Sequence, residues 1–336
     1  MTEWKVEQFG PDASPRDLAD LHELTSKVYL EDLPQLQVSS LAAFLERMAA
    51  PTTRIGPRRW WVVRADGSIV ATAMAALPEA ENRHIAQVNV QVLAQRRRQG
   101  AATALLQAVL PALRADGRSV IASQGMREGS TGDDWARARG FHPVHQVVVQ
   151  SLAVDDGTRA RWQVPAPPGF RALHWVGSAP DELLVEYARA RTAIHDAPTG
   201  EQTYVDPGWT PEQVRRHEAN ARGSGTVLYV VVAVHEATSA VAGLTELEIR
   251  GNEIRRGHQQ DTAVLAAFRG RGLGRYIKAE LMRWITREIP ELVQVTTSSA
   301  VDNEHMIRVN RELGYIVDMT LVGLEADLDV LAARVV

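Results

Sequence analysis

Apolar positions recur with two periods along the chain, and the strands and helices they mark follow the same succession twice. Trp60-Trp61-Val62-Val63-Arg64 and Ile69 to Met74 flank Asp66-Gly67, and an Asp-Gly pair between two β-branched runs predicts a hairpin. Ahead of it, Trp4 to Phe9 reads as an edge strand. Ser14 can cap a helix with Pro15 at its first position, continued by Leu18, Leu21, Leu24 and Val28. A second helix is expected from Ser39 or Ser40 to Met48. Ile85 to Leu93 reads as a strand. A helix carrying Leu105, Val109 and Ala112, a strand at Val120 to Ser123 and a helix ending at Gly140-Phe141 follow. The second half predicts a strand near Phe170 to Trp175, a helix from Pro180 through Arg191 and another opening at Thr210-Pro211-Glu212. Strands at Val227 to Val234 and Ala240 to Ile249 come next, then a buried strand at Asp261 to Leu265. Ile277, Leu281, Trp284 and Ile285 fall at i, i+4, i+7 and i+8, the apolar stripe of a helix closed by Pro290. Ile316 to Leu324 precedes a short acidic tail, Glu325 to Val336.

The repetition can be measured. In each half a glycine-bearing basic loop separates a strand from a helix, and a later helix ends on glycine followed by an aromatic residue. Arg97 lies 43 residues before Gly140 and Arg269 lies 45 before Gly314. Such register implies duplication of a domain. Residues 154–168, polar and then proline-rich, read as the linker. The expected division is 1–153, a linker over 154–168, and 169–336.

Composition narrows the chemistry. The 336 residues are 45% apolar and 23% charged, with a net charge of −4. That balance offers no global attraction for nucleic acid or an anionic membrane, so a phosphate site has to be local. Cysteine is absent, which removes disulfides, thiolate metal sites and a cysteine nucleophile. The ten histidines show no metal-ligand spacing, and no metal is expected. There is no 18-residue apolar run and no leader-like opening, so a cytoplasmic protein is expected.

The stretch Phe268-Arg269-Gly270-Arg271-Gly272-Leu273-Gly274-Arg275 joins a strand to a helix. Unpartnered amides and the positive end of the dipole meet there, and glycines let phosphate come close. It lacks the Gly-x4-Gly-Lys of a P-loop and the third glycine of a dinucleotide fingerprint. Arg-x-x-Gly-x-Gly (Arg269, Gly272, Gly274) resembles the pyrophosphate loop of the GNAT acyl-CoA N-acyltransferases. Thr296 to Tyr315 resembles that family's following strand and helix, begun by Asn303 and ended by Leu-Gly-Tyr. Arg97, Gly100 and Ala102 repeat the loop with alanine last. The chain as a whole is similar to tandem GNAT proteins of the kind that includes mycothiol synthase.

The resemblance implies an α/β fold of two tandem domains, each a mixed, mostly antiparallel sheet flanked by helices. It also implies acetyl-CoA as cosubstrate. The pyrophosphate would sit on Gly270, Arg271, Gly272, Leu273, Gly274 and Arg275, with Arg269 and Arg271 adding charge and Asn303 nearby. Val264 and Leu265 would meet the pantetheine arm, and the N–H of Leu265 or of a neighbour would polarise the thioester. In the first half the matching residues are Val92, Leu93, Arg97, Arg98, Gly100 and Ala102. The family's glutamate eleven residues before the loop corresponds to His258, with Glu246 and Asp261 as rivals for the base. Each has a structural alternative: a strand edge for His258, a turn cap for Asp261, a strand face for Glu246. The family's tyrosine acid corresponds to Asn310, and to Ala136 in the first half. Eleven before Arg97 stands Ala86, so the N-terminal domain is expected to be degenerate and the C-terminal one catalytic. The acceptor is expected in a cleft or under the His195-Asp196 loop.

These features lead to an N-acetyltransferase for a small-molecule amine, acting by direct attack on the thioester, as monomer or homodimer, without nucleic-acid or membrane partners. A non-catalytic acyl-CoA-binding or regulatory protein and a protein N-acetyltransferase are the alternatives.

Overall fold

In the computed structural model, which describes residues 4–34, 38–49, 56–198, 200–206, 208–251 and 253–335, the Asp-Gly hairpin forms as expected. Asp66 and Gly67 both take positive φ, 52° and 79°, the backbone of a tight hairpin turn. The elements run β1 (Val6–Phe9), α1 (Pro15–Asp32), α2 (Leu41–Ala49), β2 (Arg58–Ala65), β3 (Ser68–Ala76), β4 (Ile85–Val92), α3 (Ala101–Ala115), β5 (Val120–Arg127), α4 (Thr131–Ala138) and β6 (His142–Ala153). They continue with α5 (Asp156–Arg161), β7 (Phe170–Val176), α6 (Leu184–Thr192), α7 (Pro211–Gly223), β8 (Thr226–His235), β9 (Val241–Arg250), β10 (Arg256–Val264), α8 (Leu273–Glu288), β11 (Gln294–Ala300), α9 (Glu304–Leu313), β12 (Ile316–Asp327) and α10 (Leu328–Arg334). Ser14 and Thr210 cap α1 and α7, each with proline at the first helical turn, as their sequences dictate.

Two compact units result. The first comprises Met1–Gln146, Gly200–Val205 and Thr320–Val336; the second comprises Val147–Thr199 and Asp206–Met319. These boundaries differ from a cut at 153 and 169. The segment expected as an acidic tail is the end of β12 plus α10, and Leu328 and Leu331 are buried in the first unit's core. The segment expected as a linker folds as well. Asp155 and Thr158 form a capping box for α5, and Trp162 is buried with its indole N–H donating to Leu313 O at 3.1 Å.

Within the first unit the strand order is β1-β2-β3-β4-β5-β12, and within the second β6-β11-β10-β9-β8-β7. Each sheet is antiparallel except for one pair. β4 runs parallel to β5 over Ile85–Gln87, and β10 parallel to β11 over Arg256–Gln259. Past those short ladders each pair loses its register and opens as a fork. In the second unit a bulge between Gln259 and Thr262 interrupts β10 against β9. Helices cover both faces of each sheet. α3 packs on one face of the first and α1 and α2 on the other; α8 and α9 pack on one face of the second, with α6 and α7 opposite.

Candidate active site

Both glycine loops have the same backbone. Each follows its forked strand through a 3-10 turn (94–96 and 266–268) and enters the helix through a left-handed glycine, Gly100 at φ 89° and Gly272 at φ 76°. Just before it a second residue takes positive φ: Gly270 at 75°, Arg98 at 62°. Arginine in that region costs on the order of 1 kcal/mol where glycine costs little. This winding turns successive N–H groups outward. The first intrahelical bonds are Ala104 N–H to Gly100 O and Tyr276 N–H to Gly272 O, so the amides of residues 98–103 and 270–275 have no partner among the described residues. Six such amides at a helix N-terminus form an anion cradle. Alanine at 102 costs no space: a Cβ on Gly274 would meet only Val264 Cγ2, at 3.9 Å.

The loop arginines are held. Arg97 donates to Val92 O at 3.1 Å and, through both terminal nitrogens, to Asp32 at 3.0 and 2.7 Å. Arg269 likewise donates to Val264 O at 2.9 Å and pairs with Asp196. Their charge is thus partly spent within the loop, and their chief effect is to fix its shape. The His195-Asp196 segment therefore latches the loop. Arg271 is placed over the Phe170 ring, and Arg275 pairs with Glu312 at 3.3 Å.

Leu265 corrects the sequence reading. Its N–H donates to Ala242 O at 2.9 Å, continuing the β9 ladder, and cannot polarise a thioester while so engaged. The Leu93 N–H is spent in the same way on Val70 O, at 3.1 Å. The Asn303 side chain caps α9, accepting from Met306 N–H at 3.1 Å.

In the first unit the fork holds a cavity of ≈ 680 Å³. Its walls come from β4 (Val88 to Val92), the loop (Arg96 to Arg98 and Gly100 to Thr103) and β5 (Ser123 to Arg127), with Leu106, Trp135, Ala136 and Phe141 behind. Asn89, Gln91, Ser123 and Gln124 supply uncharged polar groups. In the second unit the positions matching Leu106, Ala136 and Phe141 are Lys278, Asn310 and Tyr315, all buried. Burial pushes Lys278 down to about 7, and its Nζ lies 5.3 Å from the centre of the Tyr315 ring. Asn310 donates to Gln150 Oε1 at 2.9 Å and lies in the core, so it corrects the expectation of a reacting side chain at this position.

The candidates for the base are employed otherwise. Glu246 is 1% exposed and accepts from Arg191 at 2.7 Å, from Tyr187 Oη at 3.3 Å and from His217 Nε2 at 3.1 Å. Burial pushes its pKa up, but Arg191 and His217 outweigh burial and hold it at about 2, too low for a base working near neutrality. Asp261, near the bulge of β10, takes the other arm of Arg191 at 3.0 Å. His258 is exposed on β10, with Nδ1 3.0 Å from Thr296 Oγ1; the surrounding protein and Arg250 lower its pKa. The structure does not bring His258 into the Arg191 cluster.

Sequence reasoning missed the centre of that cluster. Arg191 is fully buried, stacked 3.7 Å from the Trp209 ring and bonded to two carboxylates. The signal was present: Arg191 lies four residues after Tyr187 on the inner stripe of α6, and His217 three after the buried Val214 on that of α7. Both are charged or titratable residues at positions where apolar ones belong. His217, Glu246 and Glu248 bring three donor atoms within 4.8 Å of one another. Arg191 already supplies the cation that Glu246 needs, and burial together with Glu246 raises the pKa of Glu248 despite its bond from Gln260. Among the described residues no helix is long and apolar enough to cross a membrane.

Residues 18–128 match the acetyltransferase (GNAT) family model. No curated protein matches the chain in sequence. Among solved structures, a tandem GNAT protein from the clavulanic acid biosynthesis pathway has a TM-score of 0.81 at 24% identity, covering 97% of this chain and 99% of that one. A GCN5-related N-acetyltransferase from Sphaerobacter thermophilus scores 0.71 at 17% identity, over 96% of both. The glucosamine N-acetyltransferase region of a fungal multi-domain GH3 β-N-acetylglucosaminidase scores 0.64 at 15%, covering 96% of this chain and 38% of that one. At such identities the likeness is one of fold. The first unit thus contains a domain of the acetyltransferase (GNAT) family, in a chain that has the tandem GNAT fold over nearly its whole length.

Proposed function

We propose that the protein is an acetyl-CoA-dependent N-acetyltransferase that acylates the amine of a small molecule by direct attack on the thioester. The observation that carries this reading is the pair of six-amide cradles, each at the mouth of a forked parallel strand pair. Diphosphate suits the cradle, and in the first unit the cavity beside it, ≈ 680 Å³, offers room for a pantetheine arm. Turnover is assigned to the second unit, where ionisable groups cluster beside β10. The first unit would hold acyl-CoA in a cavity whose fork strand β4 offers only uncharged side chains, Val88 to Val92.

In direct transfer the amine lone pair forms the C–N bond and the C–S bond breaks, leaving its pair on sulfur. A thiolate of pKa about 8.5 leaves without an obligatory acid. The test is release of free CoA thiol from acetyl-CoA across a panel of amines. Loss of turnover in Gly272→Glu, with Arg97→Glu retaining it, supports the assignment; the opposite pattern moves catalysis to the first unit. Acetyl-CoA bound without thiol release would leave an acyl-CoA-binding protein instead.

A further inference from the structure

The charged cluster on the α6–α7 face of the second sheet holds one side chain that is oriented and yet open. Because Glu246 stays ionised it can only accept, so the proton shared with His217 at 3.1 Å belongs to Nε2. In the neutral ring that fixes the tautomer and puts the lone pair on Nδ1, which has no hydrogen-bond partner among the described residues. Trp209 meets the His217 ring edge-on at 5.4 Å and also covers Arg191. The imidazole side chain is 17% exposed, so it is held firmly and still reachable.

Its surroundings favour a cation. Glu246 and Glu248 face it from β9, Arg191 and Tyr187 stand behind Glu246 on α6, and Asp261 closes the network from β10. Three carboxylates thus stand against two guanidiniums, since Arg250 acts on Glu248 as well. The cluster is also tied to the cradle: Asp261 lies near the bulge of the strand that leads into it, and the chain that carries Arg191 runs on to Asp196, which pairs with Arg269.

We propose that His217, oriented by Glu246, takes the proton from the acceptor's ammonium group in the second unit. This rests on the acetyl-transfer reading. The proton passes from nitrogen to Nδ1, and the freed lone pair attacks the thioester carbonyl. C–S cleavage leaves the electron pair on sulfur, and the imidazolium returns its proton to the thiolate or to water. Glu246 is a positioning residue: it sets which nitrogen is free and stabilises the imidazolium.

The experiment compares pH profiles of kcat/KM for the wild type, His217→Gln and His217→Ala, with KM for acetyl-CoA measured alongside. General base catalysis is worth about 10²–10⁴-fold. His217→Gln should therefore lose at least about 100-fold in kcat/KM at pH 7 with KM for acetyl-CoA unchanged. The loss should narrow as pH rises towards the amine's own pKa. Added imidazole should restore part of the rate to His217→Ala and none to the wild type. A wild type that releases CoA thiol, beside a His217→Gln that matches it at every pH, overturns this inference alone. A wild type that transfers to no amine overturns the acetyl-transfer reading with it.

Discussion

Arg191→Met removes the guanidinium on which the buried Glu246 depends, and its effect can be worked out from the carboxylate. An ordinary glutamate titrates near 4.5 and Glu246 at about 2, a difference equivalent to about 3 kcal/mol of preference for the charged form in the folded protein. Removing one partner of a buried pair strands the other, at about 3–5 kcal/mol, in agreement with that figure. In a unit of this size the melting temperature should fall by about 6–20 °C. The pH dependence carries the sharper information. A depressed carboxylate contributes its stability above the unfolded value, and that contribution is lost as pH falls from about 4.5 towards 2. In Arg191→Met the carboxylate is no longer held down, so mild acid neutralises it and narrows the gap to wild type. Thermal melts of wild type, Arg191→Met and Arg191→Met/Glu246→Gln at pH 7 and 4.5 decide the matter. The double variant should recover at least half the loss at pH 7. An Arg191→Met within about 1 kcal/mol of wild type, or a double variant no better than the single, would refute the buried-pair account.

Other consequences are read more briefly. Lys278, at about 7 when folded and 10.5 in its ordinary state, is a buried cation whose cost is largest below pH 7 and fades as pH rises to about 10.5. Lys278→Met should raise the melting temperature at pH 7, and the gain should shrink at pH 9.5; a loss of stability would mean that the amine has a hidden partner. Gly272→Ala places a Cβ at φ 76° in open space, so about 1–2 kcal/mol of backbone strain should weaken CoA binding measured by calorimetry, whereas Gly274→Ala, at the position that is already alanine in the first half, should stay within about twofold. His195→Ala frees Asp206 from a 3.4 Å contact beside the Asp196 latch and should raise KM for the acceptor; unchanged kinetics would detach this segment from the site.

What could be read in the sequence was local. Asp66-Gly67, Ser14-Pro15, the Gly270–Gly274 loop and the Ile277–Ile285 stripe fix their geometry within a few residues, and each formed. The nearly equal spacing of the two halves exposed the duplication for the same reason. What escaped was set by partners far along the chain. Trp162 is buried because Leu313 accepts its N–H across 151 residues, so a proline-rich composition misdescribed its neighbourhood. Glu246 reads as one more polar residue on a strand until Arg191, 55 residues away, neutralises it. The employment of the Leu265 N–H depends on strand pairing, which single residues do not record.

The assignment of residues 320–335 to the first unit bears on how the protein is made. The pairing of Leu321–Asp327 with Val120–Arg127, and the seating of Leu328 and Leu331, require residues synthesised after the entire second unit. On the ribosome the leading half therefore waits, with β5 uncovered along one edge, until the second unit and β12 have been synthesised. Contacts of such large sequence separation are slow to form and leave intermediates with open strand edges. Release at residue 319 should accordingly produce aggregation of the half made first, while the half nearest the missing segment keeps its fold.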